Sequence, residues 1–193
     1  ISVNKQKNVA LITAVYALES KTYGVAGKEA EYTEAGLNWK TSALREWLNG
    51  EFYTDHFTGL EKERIRLATN ITKDDSGRFT TKDYVFLLSR TEATRYLKTV
   101  EGLRCEATAY VMRKLGKDST AIAPDGYCLW WVREMVRAAK INRDGRLRGY
   151  TRNEAGYIYG GRGTAMLLRN IGAKTYEEDV ALVRPAMWIK IDP

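Results

Sequence analysis

Helix signals occupy the first two-thirds of this 193-residue sequence, whereas hairpin signals occupy the last third. Helical spacing places Leu44, Trp47 and Leu48 on one face of a helix that begins near Thr41. Further along, Arg-Asp-Gly at 143–145 separates two strand-like segments, and an Asp-Gly pair adopts the positive φ values that a tight hairpin needs. Helices followed by hairpins, rather than alternating strands and helices, predict an α+β fold.

Local capping patterns predict the other helices. Thr58 and Glu61 form a capping box, which predicts a helix that runs to about Leu67. A second box, Ser89 to Glu92, predicts a helix over 90–97. A further helix is predicted over 106–115, with Gly116 as its stop.

Apolar and aromatic runs predict the strands. We expect a buried strand over 9–15, an apolar strand over 83–88 and a central strand over 127–132. The last strand is predicted over 182–191, and Pro185 within it indicates a sheet edge or a bulge. Loops or turns are predicted at three segments, 21–38, 73–77 and 157–163.

The composition is that of a folded protein, with 44% hydrophobic and 28% charged residues. Only 3 prolines occur, and no linker rich in Ser, Gly or Pro divides the chain. We therefore predict one domain over 1–193. No run of 18 apolar residues occurs, so the sequence predicts no transmembrane helix and no membrane insertion.

The formal net charge of +7 is concentrated near the end of the chain. Nine Lys or Arg residues stand against three acids between 133 and 170, an excess of +6. A basic face favours an anionic partner such as nucleic acid, a membrane surface or an acidic glycan, and a solvated basic surface is the alternative. The basic residues are Arg133, Arg137, Lys140, Arg143, Arg146, Arg148, Arg152, Arg162 and Arg169.

No motif indicates catalysis. A Ser-His-Asp triad would have to use His56, the single histidine, which we interpret as a surface or capping residue. Cys105 and Cys128 match no zinc pattern; partly buried thiols are the first interpretation and one disulfide is the main alternative. We expect no enzyme, no cofactor and no metal, although an undetected enzyme would use one of these cysteines as its nucleophile.

The aromatic residues indicate a core and a recognition surface. Most of the five tryptophans are predicted to pack in the core. Tyr150, Tyr157 and Tyr159 stand in predicted loops among Arg, Asn and Gly, a composition typical of binding surfaces. A twisted hairpin with outward polar residues is the alternative. The predicted ligand-binding residues are Lys140, Asn142, Arg143, Arg146, Arg148, Tyr150, Arg152, Asn153, Tyr157, Tyr159 and Arg162.

Four landmarks give the chain a family resemblance. They are the segments 39–49, 84–93, 104–110 leading to Trp-Trp-Val-Arg at 130–133, and Val-Arg-Pro-Ala-Met-Trp-Ile at 183–189. In order and spacing they resemble a bacterial and phage family, domain of unknown function 6273. The family usually continues Trp-Trp-x-Arg with Ser-Pro-Gly, whereas Glu-Met-Val stands here at 134–136. The segment 150–179 is also longer than usual.

The family pattern is similar to C-type lectin-like domains of the formylglycine-generating-enzyme type. The resemblance implies helices packed on a small, mostly antiparallel twisted sheet, with a ligand face built by C-terminal hairpins. Relatives with that fold include receptor proteins that retroelements diversify at adenines just before the last strand. The segment 133–163 has the Tyr, Asn, Asp, Gly and Arg mixture of such proteins. The paired active-site cysteines of the enzyme that names the fold are not located here, so its activity is not carried over.

The resemblance thus implies a non-catalytic receptor or adhesin on a cell surface or phage particle, which binds a protein or glycan ligand on another cell or particle. A domain that binds nucleic acid or another polyanion is the alternative. We interpret Arg45, Trp47, Arg184 and Trp188 as scaffold, and we expect Arg184 to pair with a buried acid or with carbonyl groups.

Overall fold

The structure is a computed structural model, and it describes residues 2–24, 38–74, 77–116, 121–122, 126–141, 147–159, 165–168 and 181–191. The α-helices in this part of the chain are α1 (Ala43–Asn49), α2 (Glu51–His56), α3 (Gly59–Arg64), α4 (Arg90–Leu97), α5 (Val100–Leu103) and α6 (Ala109–Leu115). Two 3-10 helices cover Lys5–Lys7 and Trp39–Thr41. None of the described helices is long and apolar enough to cross a membrane.

The strands in the described part of the chain form two larger sheets and one separate hairpin. They are β1 (Ser2–Asn4), β2 (Val9–Thr13), β3 (Glu19–Lys21), β4 (Ile65–Arg66), β5 (Ala68–Asp74), β6 (Gly77–Asp83), β7 (Phe86–Leu87), β8 (Leu129–Ile141), β9 (Leu147–Tyr159), β10 (Ala165–Leu168), β11 (Ala181–Val183) and β12 (Pro185–Lys190). The first sheet has the order β1-β2-β12-β4, with β7 also paired to β12. The second has the order β10-β9-β8-β11-β3, and β5 pairs with β6.

The pairing confirms an α+β fold with small, mostly antiparallel sheets. Among the described residues, every strand pair is antiparallel except β8 with β11, whose register sets Leu182 beside Trp130. Short connections suit antiparallel neighbours, whereas the parallel pair needs the long return through β9 and β10. The chain of the second sheet therefore runs from β8 through β9 and β10 and returns beside β8 as β11.

The last predicted strand is two strands that belong to different sheets. The chain leaves the second sheet after Val183 and enters the first at Pro185, which pairs with Leu87. Proline is tolerated here because it is the first residue of β12. Strand β12 lies inside its sheet, so the prediction of a sheet edge is wrong. Arg184 stands at the crossing, is 5% exposed, and donates to the carbonyls of Ala14 and Gly102, each at 2.9 Å. The carbonyl alternative for this arginine is thus confirmed.

The tryptophans pack as predicted. Trp39, Trp130 and Trp131 are buried, and Trp47 and Trp188 are partly buried against the same core. Large aromatic side chains contribute most of the buried area of a small core. The core therefore joins the helices of the first half to the start of β8.

The predicted helices are all present, with shifted ends. Helix α1 is capped by Ser42 rather than Thr41. Helix α3 has both bonds of its capping box but ends at Arg64, before Leu67. Helix α4 matches its prediction, capping box included. Helix α6 begins at Ala109 rather than Glu106, because Thr108 caps it while Glu106 pairs with Tyr127.

Several strand and loop predictions need correction. The apolar segment 83–88 is not one strand: Asp83 ends β6 and Phe86–Leu87 form β7, although Val85–Leu88 are all buried. The predicted surface loop 21–38 is buried at both described ends, where Tyr23 and Asn38 are each 1% exposed. The hydroxyl of Tyr23 donates to the carbonyl of Arg133 at 2.8 Å. The hairpin of β5 and β6 was not predicted, apart from the polar turn at its tip.

Candidate ligand-binding hairpin

Strands β8 and β9 form a long antiparallel hairpin. Their register runs from Leu129 opposite Tyr159 to Ile141 opposite Leu147, with three irregularities along the ladder. Each strand has 13 residues. The backbone thus confirms the predicted hairpin, whose turn at 142–146 lies outside the described residues.

The predicted ligand-binding residues are distributed along this hairpin. Seven of them have described backbone, and they are Lys140 on β8 and Arg148, Tyr150, Arg152, Asn153, Tyr157 and Tyr159 on β9. The other four lie outside the described residues, and they are Asn142, Arg143, Arg146 and Arg162. The three tyrosines were predicted in loops, but their backbone belongs to a strand. The prediction failed because the glycine and polar neighbours of the tyrosines are typical of loops, whereas the chain there pairs with β8 from Leu147 to Tyr159 with three irregularities.

The register places these residues along the whole hairpin rather than at one end. Lys140 is opposite Arg148 and Ala139 is opposite Tyr150, close to the turn. Tyr157 is opposite Trp131, at the end of the hairpin that enters the core. Eight residues of β8 follow Arg133, which corresponds to roughly 25 Å of strand. Asn153, opposite Arg137, lies between these two ends, so the predicted residues are spread over the whole element.

Two tryptophans fix the base of the hairpin. The indole nitrogen of Trp130 donates to the carbonyl of Leu103 at 3.0 Å, and that of Trp131 donates to the carbonyl of Lys21 at 2.7 Å. Both side chains are buried, with 0% and 2% exposure. A buried indole satisfied in this way adds directional bonds to a large packed area. The first residues of β8 are therefore hydrogen-bonded to two segments that are distant from each other in sequence.

A buried arginine completes the anchor. Arg133 is 1% exposed, and its Nε donates to Thr72 Oγ1 at 3.0 Å. One terminal nitrogen donates to the carbonyl of Leu87 at 2.8 Å, and the other lies 2.9 Å from the carboxylate of Glu92. The guanidinium also lies over the ring of Phe86, 5.6 Å from its centroid. One side chain thus connects β8 to β5, β7 and α4.

This geometry removes Arg133 from the predicted basic face, because its charge is buried and paired with Glu92. The excess of positive charge remains when the count begins beyond this residue. Eight Lys or Arg residues between 137 and 169 stand against Asp144 and Glu154, which again leaves +6. The excess therefore belongs to the segment beyond the anchored base.

Glu134 follows the anchor and accepts a hydrogen bond from the backbone nitrogen of Arg90, at the start of α4. Burial raises the pKa of the Glu134 carboxyl above its usual value of 4.5, against the opposing hydrogen bond from Arg90. Because the folded pKa is the higher one, folding favours the protonated carboxyl. The resulting stability is complete below the unfolded pKa and is lost as the pH rises through the folded pKa.

We therefore expect Glu134→Gln to raise the melting temperature at neutral pH, because glutamine keeps an oxygen acceptor for Arg90 without a buried charge. The gain should shrink as the pH falls and vanish below about pH 4, where both side chains are neutral. Thermal unfolding of both proteins across this pH range measures the difference. A gain that is constant with pH, or a loss at neutral pH, would contradict the assignment.

The residues considered for catalysis, His56, Cys105 and Cys128, lie outside the β8–β9 hairpin. His56 is exposed, and its Nδ1 lies 3.2 Å from the carbonyl of Phe52 while its ring stacks on that phenyl ring. Cys105 and Cys128 are free thiols, as in the first interpretation, but both are fully buried rather than partly. Within the described ranges, no three His, Cys, Asp or Glu side chains form a group that could hold a metal ion.

A cavity of about 590 Å³ lies on the first sheet, where no sequence pattern predicted a site. It combines the ring of Trp188 with the side chain of Arg66, its neighbour across the β12–β4 pair. None of the predicted ligand-binding residues lines it. Its walls come from three separated parts of the chain, and they are Asn4, Lys7, Val9, Arg66, Leu67, Ala68, Thr69 and Trp188.

The fold and the site define a class of protein: an α+β protein in which a hairpin with a buried, hydrogen-bonded base carries a basic, tyrosine-containing segment. The model of the family described as Domain of unknown function (DUF6273) matches residues 7–191, and the chain belongs to that family. No curated protein and no solved structure matches the chain.

Proposed function

We propose that the protein is a non-catalytic ligand-binding module of the receptor or adhesin type, and that the β8–β9 hairpin is its binding face. One observation supports this most directly: Trp130, Trp131 and Arg133 fix the hairpin base through buried contacts to distant segments. A rigid scaffold that carries a variable-looking segment is the arrangement typical of recognition loops. Anchoring also lowers the entropy lost when a ligand binds.

The chemistry of the segment supports the same role. Tyrosine offers a broad, rigid contact surface, arginine makes charge-assisted bonds, and asparagine and glycine adapt to the partner. These residue types occur together between 140 and 162. The ligand in this proposal is a protein or glycan on another cell or particle, and the protein itself acts at a cell surface or on a phage particle.

The finer parts of the proposal are a C-type lectin-like fold and diversification by a retroelement. The amino-acid mixture of 133–163 supports the second part, and the anchored base refines it. Because the side chains of 130–133 are buried, substitutions there would damage the core. Deep sequencing of codons 130–170 across a natural population should therefore show changes at adenines after codon 133, with 130–133 fixed. An invariant segment would contradict diversification and indicate a fixed ligand.

Alanine variants test the binding face. Screening the protein against a glycan array and against intact bacterial cells provides the ligand. Combined changes of Tyr150, Tyr157, Tyr159 and Arg162 to alanine should then lower the affinity at least tenfold, because they remove rigid contact area and a charged donor. The melting temperature should stay within a few degrees.

Tyr110→Ala is the matched control, because Tyr110 is an exposed tyrosine on α6 with 52% of its surface accessible. It should change neither affinity nor melting temperature. Unaltered binding by the combined variant would refute the binding face. Loss of folding would show that the tyrosines are structural, as the pairing of Tyr157 and Tyr159 opposite the anchored start of β8 allows.

The +6 excess beyond the anchor favours one alternative, a domain that binds nucleic acid or another polyanion. Each phosphate contact releases counterions, so the affinity for a DNA duplex should fall steeply between 50 and 200 mM salt, on the order of a thousandfold for six contacts. Binding titrations at several salt concentrations measure this slope. An affinity that is flat with salt, or absent, removes the alternative.

A further inference from the structure

The two cysteines lie directly opposite each other in a short antiparallel pairing. Glu106 pairs with Tyr127, so the next position along both strands places Cys105 opposite Cys128. The backbone nitrogen of Cys128 donates to the carbonyl of Cys105 at 2.8 Å. Residues opposite each other in an antiparallel pair have Cα atoms roughly 4.5–5.5 Å apart, and disulfides span about 4.4–6.8 Å. The backbone is therefore already placed for a disulfide.

The surroundings of the thiols favour the same reaction. The neighbouring Cys128 thiol and the positive charge of Arg184 lower the pKa of Cys105, although its burial opposes them. The pKa of Cys128 is raised by its interaction with Cys105 and by burial. The Sγ atom of Cys128 donates to the carbonyl of Cys105 at 2.8 Å, so a rotation of its side chain would bring it to the other sulfur. Cys105 is thus the sulfur suited to attack first.

We propose that Cys105 and Cys128 form a reversible disulfide that fastens the start of β8 to the segment after α5. The oxidant is a disulfide of a small thiol or of an oxidoreductase. The thiolate of Cys105 attacks one of its sulfurs, which breaks the oxidant's S–S bond, forms a mixed disulfide and releases one thiolate. Cys128 then loses its proton, attacks Cys105 Sγ and releases the second thiolate. The pair loses two electrons and two protons, and the oxidant becomes two thiols.

The position of this bond gives it a structural role. Trp130, which anchors the hairpin, follows Cys128 by two positions and donates to the carbonyl of Leu103, two positions before Cys105. The disulfide would therefore reinforce covalently a contact that the reduced protein makes by hydrogen bonds. This role does not depend on what the hairpin binds.

The experiment compares disulfide formation in the folded and the unfolded chain. The protein is refolded in buffers of graded oxidised and reduced glutathione, quenched with acid, alkylated, and analysed by intact mass; the same series is run in urea. The folded chain should form the disulfide with an equilibrium constant on the order of a hundredfold larger, because it holds the two ends of the loop together. The oxidised protein should melt roughly 6–12 °C above the reduced one.

Refolding from the unfolded chain removes the burial of the thiols as an obstacle, so a negative result is decisive. Equal equilibrium constants with and without urea, or an oxidised form that melts below the reduced one, would overturn the proposal. Cys105→Ser is the matched control. It should leave a single thiol that forms only a mixed disulfide with glutathione, with no intramolecular bond and no comparable gain in melting temperature.

Discussion

Replacing Asp83 with alanine is expected to lower the free energy of unfolding by about 3–5 kcal/mol, because the change leaves buried donors without their acceptor. The carboxylate of Asp83 is 0% exposed and accepts four hydrogen bonds. The donors are the indole nitrogen of Trp39 at 3.1 Å, Arg45 Nε at 2.6 Å, Asn70 Nδ2 at 2.8 Å and Thr81 Oγ1 at 2.6 Å. One acid thus connects α1, the hairpin of β5 and β6, and the 3-10 helix before α1.

Urea unfolding of the purified variant measures this loss. Asp55→Ala is the control, because Asp55 is an exposed acid on α2, and its removal should change the free energy by less than about 0.5 kcal/mol. Asp83→Asn should also destabilise the protein, because the amide nitrogen of asparagine donates and would face groups that are themselves donors. If Asp83→Ala costs less than about 1 kcal/mol, the buried network has no large role in stability.

Arg133→Met is expected to cost about 3 kcal/mol and to loosen the base of the β8–β9 hairpin. Methionine fills the buried volume but removes one donor each from Thr72 Oγ1, the carbonyl of Leu87 and the carboxylate of Glu92. Arg133→Lys should recover little, because a single ammonium group cannot reproduce a planar fork that reaches three elements. The destabilisation should be local as well as global.

Two measurements separate these effects. Urea unfolding gives the total loss, and hydrogen exchange of the β8 amides reports whether the hairpin base opens more often than the rest of the protein. Arg78→Met is the matched control, since Arg78 is an exposed arginine on β6. Unchanged exchange at β8 in Arg133→Met would show that the hairpin is held without this side chain.

The elements that the sequence predicts well are those with local causes. The capping boxes at Thr58 and Ser89 form as predicted, because each depends on two side chains within four residues of the chain. The run over 127–132 predicts a central strand correctly, since few other elements bury two consecutive tryptophans. The starts of α1 and α6 are displaced by up to three residues because a nearby residue caps better, and α3 ends early because Ile65 and Arg66 pair with β12.

The hairpin of β5 and β6 was missed because its pattern is inverted. Asn70 and Thr72 on β5 are buried, whereas Ile71 between them is 51% exposed. The polar side chains face inward because Asp83 and Arg133 stand there as partners. Those partners are distant in sequence, so a rule that places apolar residues inside identifies the wrong face.

The candidate site shows the same limit. Composition alone indicated the segment that carries Tyr150 to Arg162, and the register places most of it on one hairpin. Composition could not distinguish Arg133 from the arginines that follow it, because burial of a charge depends on Thr72, Leu87 and Glu92. Neither could it reveal that Cys105 and Cys128 face each other, since that depends on the pairing of Glu106 with Tyr127.

The parallel pairing of Leu182 with Trp130 has a consequence for how the family can vary in length. The rest of the fold contacts the start of β8 through Trp130, Trp131, Arg133 and Glu134, and β11 returns beside Trp130, so the chain between Glu134 and Ala181 joins two neighbouring points of the fold. The entropy of closing a flexible loop rises slowly, by about 0.6 kcal/mol for each doubling of its length. Insertions and deletions within this segment are therefore thermodynamically inexpensive. The segment can therefore change in length during evolution while Leu182 and Trp130 keep their pairing.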